Sequence, residues 1–214
     1  MRILVLLFSF MFLSCKSTFK VVERKDVILD SISIRAIMPM NGGVWFGGTN
    51  SKAGFLSFQN DSETKIVKLQ KEITDFRSMS NSSNGILFLN AGTPANIYAM
   101  STFAYSCASS LMYSESGEKV FYDSMFIDAK TKFGVIVGDP TEDCLSILLT
   151  EDSGKTWNKI PCTNLPKTVD GEAAFAASDT NVKIVDGVIF IISGGKKSRL
   201  FKSKDKGKAW EVFE

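Results

Sequence analysis

An eight-residue pattern that occurs twice constrains this chain more than any other feature. Thr150 to Trp157 read TEDSGKTW and Ser203 to Trp210 read SKDKGKAW, so both follow [Ser/Thr]-x-Asp-x-Gly-x-x-Trp. At ordinary residue frequencies a chance match in a chain of this length has a probability on the order of one in a thousand, and two matches are far rarer. Each position has a task in a β-hairpin turn. Asp152 and Asp205 accept hydrogen bonds from loop N–H groups, as short acidic side chains do at turns. Gly154 and Gly207 take positive φ without a Cβ penalty. Trp157 and Trp210 begin the return strand as large apolar anchors for the neighbouring unit. Read this way, the acidic residues hold turns and are poor candidates for catalysis.

Around these turns the chain has one rhythm. Four β-rich apolar segments end in small residues: GVWFGGT at 43–49, GILFLNAGT at 85–93, FGVIVGDP at 133–140 and GVIFIISGG at 187–195. Their starts lie 42, 48 and 54 residues apart, the spacing of units of four short antiparallel strands. The eight-residue pattern closes units three and four. Units one and two carry FLSFQNDSET and IYAMSTFAYS at the corresponding place, without the Gly and Trp.

The two turns resemble the Asp-boxes, or BNR repeats, of sialidase-like β-propellers and of the related photosystem II assembly and stability factors. The stretches FYDSMFID, VIVGDPTEDCLSILLTEDSGKTW and GEAAFAASDTN are also similar to a group of bacterial BNR-repeat lipoproteins. The resemblance covers about residues 28–214 and implies an all-β chain, a propeller of four-stranded antiparallel blades. Similar proteins reach six or seven blades, so the four units here imply a partial propeller, with closure as a four-bladed ring as the alternative. By the same analogy the inner strands are SIRAI at 33–37, FRSMS at 76–80, YDSMFI at 122–127 and AAFAA at 173–177. The Gly-rich segments are then the next strands out.

Residues 1–15, MRILVLLFSFMFLSC, carry Arg2, an apolar run from Ile3 to Leu13, then Ser14 and Cys15. A run of eleven residues is too short to span a bilayer and suits the core of a signal peptide. A small residue followed by Cys resembles a bacterial lipobox, which implies lipid on Cys15, residues 16–27 as a tether leading into the first strand, and anchorage at the cell envelope. Phe12 and Leu13 are looser than the usual residues there, and cleavage to a periplasmic or secreted protein is the alternative.

Composition narrows the chemistry. The chain has 25 basic and 23 acidic side chains and no basic run beyond a local pair, so the clustered footprint of a nucleic-acid binder is absent. It contains no His, which removes the commonest general base and metal ligand and excludes Ser-His-Asp and Cys-His catalysis. The four Cys, at 15, 107, 144 and 162, have no C-x-x-C spacing, and no metal site is expected. If Thr150 and Trp157 face each other across the turn, paired residue numbers sum to about 307. Cys144 then lies nearly opposite Cys162, and the two are candidate disulfide partners, with a pair of buried thiols as the alternative. Cys107 is expected to be free and buried.

Aligning the inner-strand segments puts Arg35, Arg77 and Asp123 at equivalent positions, with Glu172 one place away. Charges in apolar strand text are costly unless paired or solvated, so they are expected to ring a polar channel, the alternative being that each is the solvent-facing member of an alternating strand. Asp139 and the Tyr122-Asp123 pair are further candidates at the same mouth. The expected function is that of a non-catalytic scaffold whose partner at the channel mouth is a protein or a glycan, with no cofactor.

The competing reading is an Asp-box glycoside hydrolase using Asp123, Asp139 and Glu172. Two unpaired carboxyl groups in an open cleft would favour it, and salt-bridged ones would favour the scaffold. A sialidase's three-Arg clamp and its Arg-Ile-Pro signature are not matched, since Arg35 is followed by Ala36 and Ile37. The oxidoreductase label attached to similar chains has no counterpart here either, for there is no G-x-G-x-x-G opening a helix.

Overall fold

The computed structural model describes residues 26–29, 31–60, 65–83, 85–101, 109–177 and 179–214. Cys15, Cys107 and the expected leader lie outside the described residues. The chain divides into two compact units, Met1–Asp30 and Ser31–Glu214. Residues 26–29 of the first form neither helix nor strand.

The second unit is all-β, built of four antiparallel blades of a partial β-propeller. Blade one is β1 (Ile34–Met40), β2 (Gly43–Gly48), β3 (Lys52–Ser57) and β4 (Lys65–Lys68). Blade two is β5 (Asp75–Ser82), β6 (Gly85–Ala91), β7 (Ala95–Met100) and β8 (Ser109–Glu115). Blade three is β9 (Tyr122–Ile127), β10 (Gly134–Gly138), β11 (Ser146–Thr150) and β12 (Asn158–Lys159). In blade four a short β13 (Glu172–Ala173) precedes β14 (Val182–Val185), β15 (Val188–Ile192), β16 (Gly194–Gly195), β17 (Leu200–Ser203) and β18 (Glu211–Phe213). Each blade pairs its four strands in chain order, while β13 pairs with β16.

The apolar segments of the sequence are the second strands, β2, β6, β10 and β15. In the middle blades they are covered on both faces, which is why GVIVG of β10 is buried at every position. Three apolar layers result. Phe76, Phe88 and Tyr98 of blade two meet Ala36 and Ala53 of blade one. Leu87 and Ile97 meet Ile136, Leu148 and Trp157 of blade three. Val135 and Ile147 meet Val182, Ile189 and Phe201 of blade four. Inner strands also bond directly across blades, because Ser78 and Ser80 accept the N–H groups of Met125 and Ile127 at 2.8 and 3.1 Å.

The two eight-residue turns are built alike. Gly154 N–H donates to Thr150 Oγ1 at 2.9 Å, and Gly207 N–H to Ser203 Oγ at 2.8 Å. Asp152 accepts the N–H of Thr156 at 2.9 Å, and Asp205 that of Ala209 at 2.9 Å. Each indole N–H returns to the carbonyl of its own glycine at 3.1 Å, and both glycines sit at φ 84°. The strands beyond the first turn pair as Leu148 with Lys159 and Leu149 with Asn158. Their numbers sum to 307, and Cys144 and Cys162 form a disulfide with Cα atoms 5.7 Å apart.

One inner strand differs from expectation. AAFAA at 173–177 is not the inner strand of blade four; that strand is VKIV, β14. Asp186 and Gly187, at φ 51° and 78°, turn β14 into β15 as a two-residue hairpin. An Asp-Gly between two apolar runs is a strong short-range hairpin signal, and it marked β14 in the sequence. Glu172–Ala173 keeps the start of the inner-strand pairing, against Gly195 and Gly194; residues 174–177 and 179–180 lie outside any strand, and the pairing resumes where Asn181 O accepts Ile192 N–H at 2.9 Å and β14 begins.

Candidate functional site

The aligned charges are bulge residues. Pairing between β1 and β2 skips Arg35, that between β5 and β6 skips Arg77, and that between β9 and β10 skips Asp123. A bulge re-aims the side chain it carries, and here three successive blades use one at the same level. In blade four the corresponding place is taken by an excursion that begins at Ala174 and includes Asp179 and Thr180.

Acidic side chains hold that excursion. Asp139 Oδ1 accepts Ala174 N–H at 3.0 Å, and the Asp123 carboxylate accepts the N–H of Ala176. Farther along, Asp179 is bonded by the Ser78 hydroxyl and the Met79 N–H of blade two. The excursion therefore leaves blade four, passes blade three and reaches blade two across the end of the channel.

These contacts set the electrostatics. Asp123 is 1% exposed, and burial, with Asp139 next to it, pushes its carboxyl up to about 8 against the pull of two backbone N–H groups and Arg77. Burial also raises Asp139, partly offset by Ala174 N–H. Asp179 is pushed up to about 7, again by burial, with Ser78 and Lys183 opposing. Asp123, pushed up to about 8, has its Oδ2 buried without a hydrogen-bond partner among the described residues.

Three candidates lie elsewhere than expected, the first being Arg77, which lines a separate cavity beside β5, β6 and β7 and not the channel cavity. Glu172 does not face a common axis. Its side chain is fully buried against Arg199, and it accepts the Ser193 hydroxyl and Val169 N–H as well. Burial pushes its carboxyl up, but Arg199, Ser193 and Val169 outweigh that and hold it below the usual carboxylate range. Tyr122 points between blades two and three. Its hydroxyl donates to Glu115 Oε2 at 2.7 Å, beside Tyr113 at 2.7 Å and Lys159 on the other oxygen at 2.5 Å. Strand alternation accounts for this, since Tyr122 and the bulged Asp123 leave β9 on opposite sides.

The open part of the channel is a cavity of about 410 Å³ lined by β1, β5, β9 and the 179–183 segment. Arg35, Asn81, Asp179, Thr180 and Lys183 are its polar lining, and the exposed Ile37 with the buried Met79 and Met125 is part of its apolar lining. Asp179, Thr180 and Lys183 had not been singled out from the sequence. Lys183 was legible as a solvent-facing member of the alternating VKIV, whereas Asp179 sits in an irregular loop with no local signal. Among the described residues no cluster of His, Cys, Asp and Glu is placed to hold a metal ion, and no helix is long and apolar enough to cross a membrane.

No known family profile matches the chain, and no curated protein matches it. Solved structures do. The WD40 repeats of RRP9 are similar at TM-score 0.56 and 12% identity, over 86% of this chain and 51% of that one. U3-55K gives TM-score 0.56 and 12% identity, with 86% and 52% covered. The Trypanosoma rangeli sialidase in complex with the inhibitor DANA gives TM-score 0.53 and 12% identity, with 85% and 38% covered. The chain thus spans about half the length of the WD40 structure and less of the sialidase. At this identity the likeness shows the propeller fold.

Proposed function

We propose that this chain is a non-catalytic binding scaffold whose partner, a protein or a glycan, engages the channel cavity rimmed by Arg35 and Lys183. The observation that carries this reading is the commitment of the candidate carboxylates to internal bonds. Glu172 is saturated by Arg199, Ser193 and Val169, and Asp139 and Asp123 hold the excursion. A hydrolase needs an acid and a base free to move protons at a substrate. What is left lining the cavity is Arg35 and Lys183 with Asp179, polar Asn81 and Thr180, and apolar side chains, a surface for recognition.

The hydrolase reading has one feature in its favour, the Asp123 carboxyl, which burial and neighbouring Asp139 push up to about 8. Its 1% exposure counts against proton delivery to a bound sugar. The signal-like segment 1–15 supports export, and Ser14-Cys15 supports a lipid anchor at the bacterial cell envelope. The Thr150 and Ser203 turns support kinship with the Asp-box propellers.

The test is a glycan array and an envelope-extract pull-down with the whole protein and with R35E/K183E. Specific binding that the double variant loses supports the reading; turnover of an arrayed glycan overturns it. Cys15→Ala should release the protein from the membrane fraction, and unchanged fractionation removes the anchor.

A further inference from the structure

Blade four has two unlike faces. Val182, Ile184, Ile189, Ile191 and Phe201 turn toward blade three and are buried against it. Strand alternation sends the residues between them to the opposite side. There Val185, Ile192 and Phe213 are 55, 55 and 47% exposed, and Val188, Phe190 and Leu200 are half-buried. In blades two and three the second-strand residues that face the next blade, Leu87, Leu89, Val135 and Val137, are at most 1% exposed. Apolar side chains from all four strands on one open sheet face form a patch of the kind that marks an interaction surface.

The pairing register says what fits it. One row across this face runs Lys183, Phe190, Lys202, Glu211 from the inner strand to the outer. The next row joins Ile192, Leu200 and Phe213. A second copy laid face to face about a two-fold axis parallel to the strands, between β15 and β17, reverses the strand order and keeps each row. Lys183 then stands opposite Glu211 of the second copy, Phe190 opposite Lys202 and Ile192 opposite Leu200, each pair occurring twice. A two-fold axis across the strands would stack Lys183 on Lys183, Lys202 on Lys202 and Glu211 on Glu211, so the charges select the first arrangement. Lys202 is already suited to an aromatic partner, its Nζ lying 5.8 Å from the Phe190 centroid within the chain. Glu211 is held on the surface through one oxygen, by Lys204 at 2.8 Å. The Lys183 ammonium, 4.6 Å from the Phe126 centroid, is carried on a flexible four-carbon stem.

We propose that the outer face of blade four is a self-association surface, on which a second copy of this chain packs sheet to sheet about that axis. Sheets packed in this way lie about 10 Å apart with their side chains interdigitated. The face measures roughly 20 by 15 Å from strand spacing and length. That is small against the ~800 Å² per partner of a standard interface, so the dimer is weak and reversible. The surface does not depend on what the channel cavity takes, and its test leaves Lys183 unchanged.

The experiment is analytical ultracentrifugation of the full chain from about 5 to about 500 µM, a range that brackets a weak dimer. Wild type is expected to shift toward dimer across it. Ile192→Asp, at an exposed position, sets a carboxylate against Leu200 of the second copy and weakens the dimer by about tenfold or more. Glu211→Lys sets a cation opposite Lys183 and weakens it as well. Ile37→Asp, on blade one at 62% exposure, leaves it unchanged. All four proteins share residues 1–30, so differences among them report the blade faces. A wild type that stays monomeric throughout overturns the proposal. So does association that Ile192→Asp or Glu211→Lys leaves intact, association that Ile37→Asp removes, or growth beyond the dimer.

Discussion

Glu172 and Arg199 form a two-pronged ion pair at the root of the excursion in blade four. Nε donates to Oε1 at 2.9 Å and Nη2 to Oε2 at 2.5 Å, with Glu172's side chain 0% and Arg199's 10% exposed. Arg199 Nη2 also bonds the carbonyl of Lys167 at 2.7 Å. The pair thus ties β17's leading segment to β13 at the point where the chain leaves the sheet.

Breaking this pair from one side leaves a buried charge without a partner. Arg199→Ala is expected to lower stability by about 3–5 kcal/mol, and Glu172→Met with Arg199→Met together by less than the sum of the single changes. Urea unfolding checks both. Glu172's folded pKa lies below its unfolded value of about 4.3, so its contribution is present above that pH and is lost as pH falls through the lower folded value. Glu172→Gln should flatten that acid limb.

Asp123 has the opposite sign. Its folded pKa of about 8 exceeds the unfolded value of about 3.9, so the folded state holds a proton that the unfolded chain gives up between them. This residue's contribution therefore falls as pH rises from about 4 to 8. Asp123→Asn keeps an acceptor for Ala176 N–H and has no proton to lose. Melting temperatures measured from pH 5 to pH 8 are expected to decline more in the wild type than in the variant, by several degrees. Parallel curves would contradict the assignment.

The two turn glycines are expected to differ. A Cβ on Gly154 would stand 2.3 Å from Leu87 Cδ1 of blade two, while one on Gly207 would meet Ile160 and Leu149 at 3.1 and 3.2 Å. Both sit at φ 84°, so each alanine carries backbone strain of about 1 kcal/mol. Gly154→Ala adds overpacking of about 1–3 kcal/mol that Gly207→Ala largely escapes. Chemical denaturation of the two variants should rank them in that order.

The Cys144–Cys162 bridge closes a separation of 18 residues. Loop-closure entropy gives it about 3 kcal/mol. Intact mass before and after reduction with alkylation should reveal one bridge, and Cys144→Ser should lower the melting temperature under oxidising conditions.

Much of the fold was legible because its signals are local. GVWFGG, GILFLNA, GVIVG and VIFII read as strands from apolar β-formers bounded by Gly, and each is a second strand. The rhythm of the repeat also found β1, β5 and β9. It failed at AAFAA because an apolar run of small residues satisfied the spacing, while the hairpin signal at Asp186-Gly187 pointed to VKIV. The site was legible only as a position. Alignment put Arg35, Arg77 and Asp123 at equivalent positions, and each falls at a bulge in the pairing of its own blade.

By itself the sequence determined the turns, the second strands and the blade repeat. These depend on φ preferences and strand alternation, which act over a few residues. Tertiary structure decided the fate of each charge. Glu172 and Arg199 meet across 27 positions, Glu115 of blade two meets Tyr122 and Lys159 of blade three, and Asp179 reaches Ser78 of blade two. A charge in a strand is stabilised by whatever partner packing delivers, and that partner is set by how the blades stack rather than by the residue's neighbours in the chain.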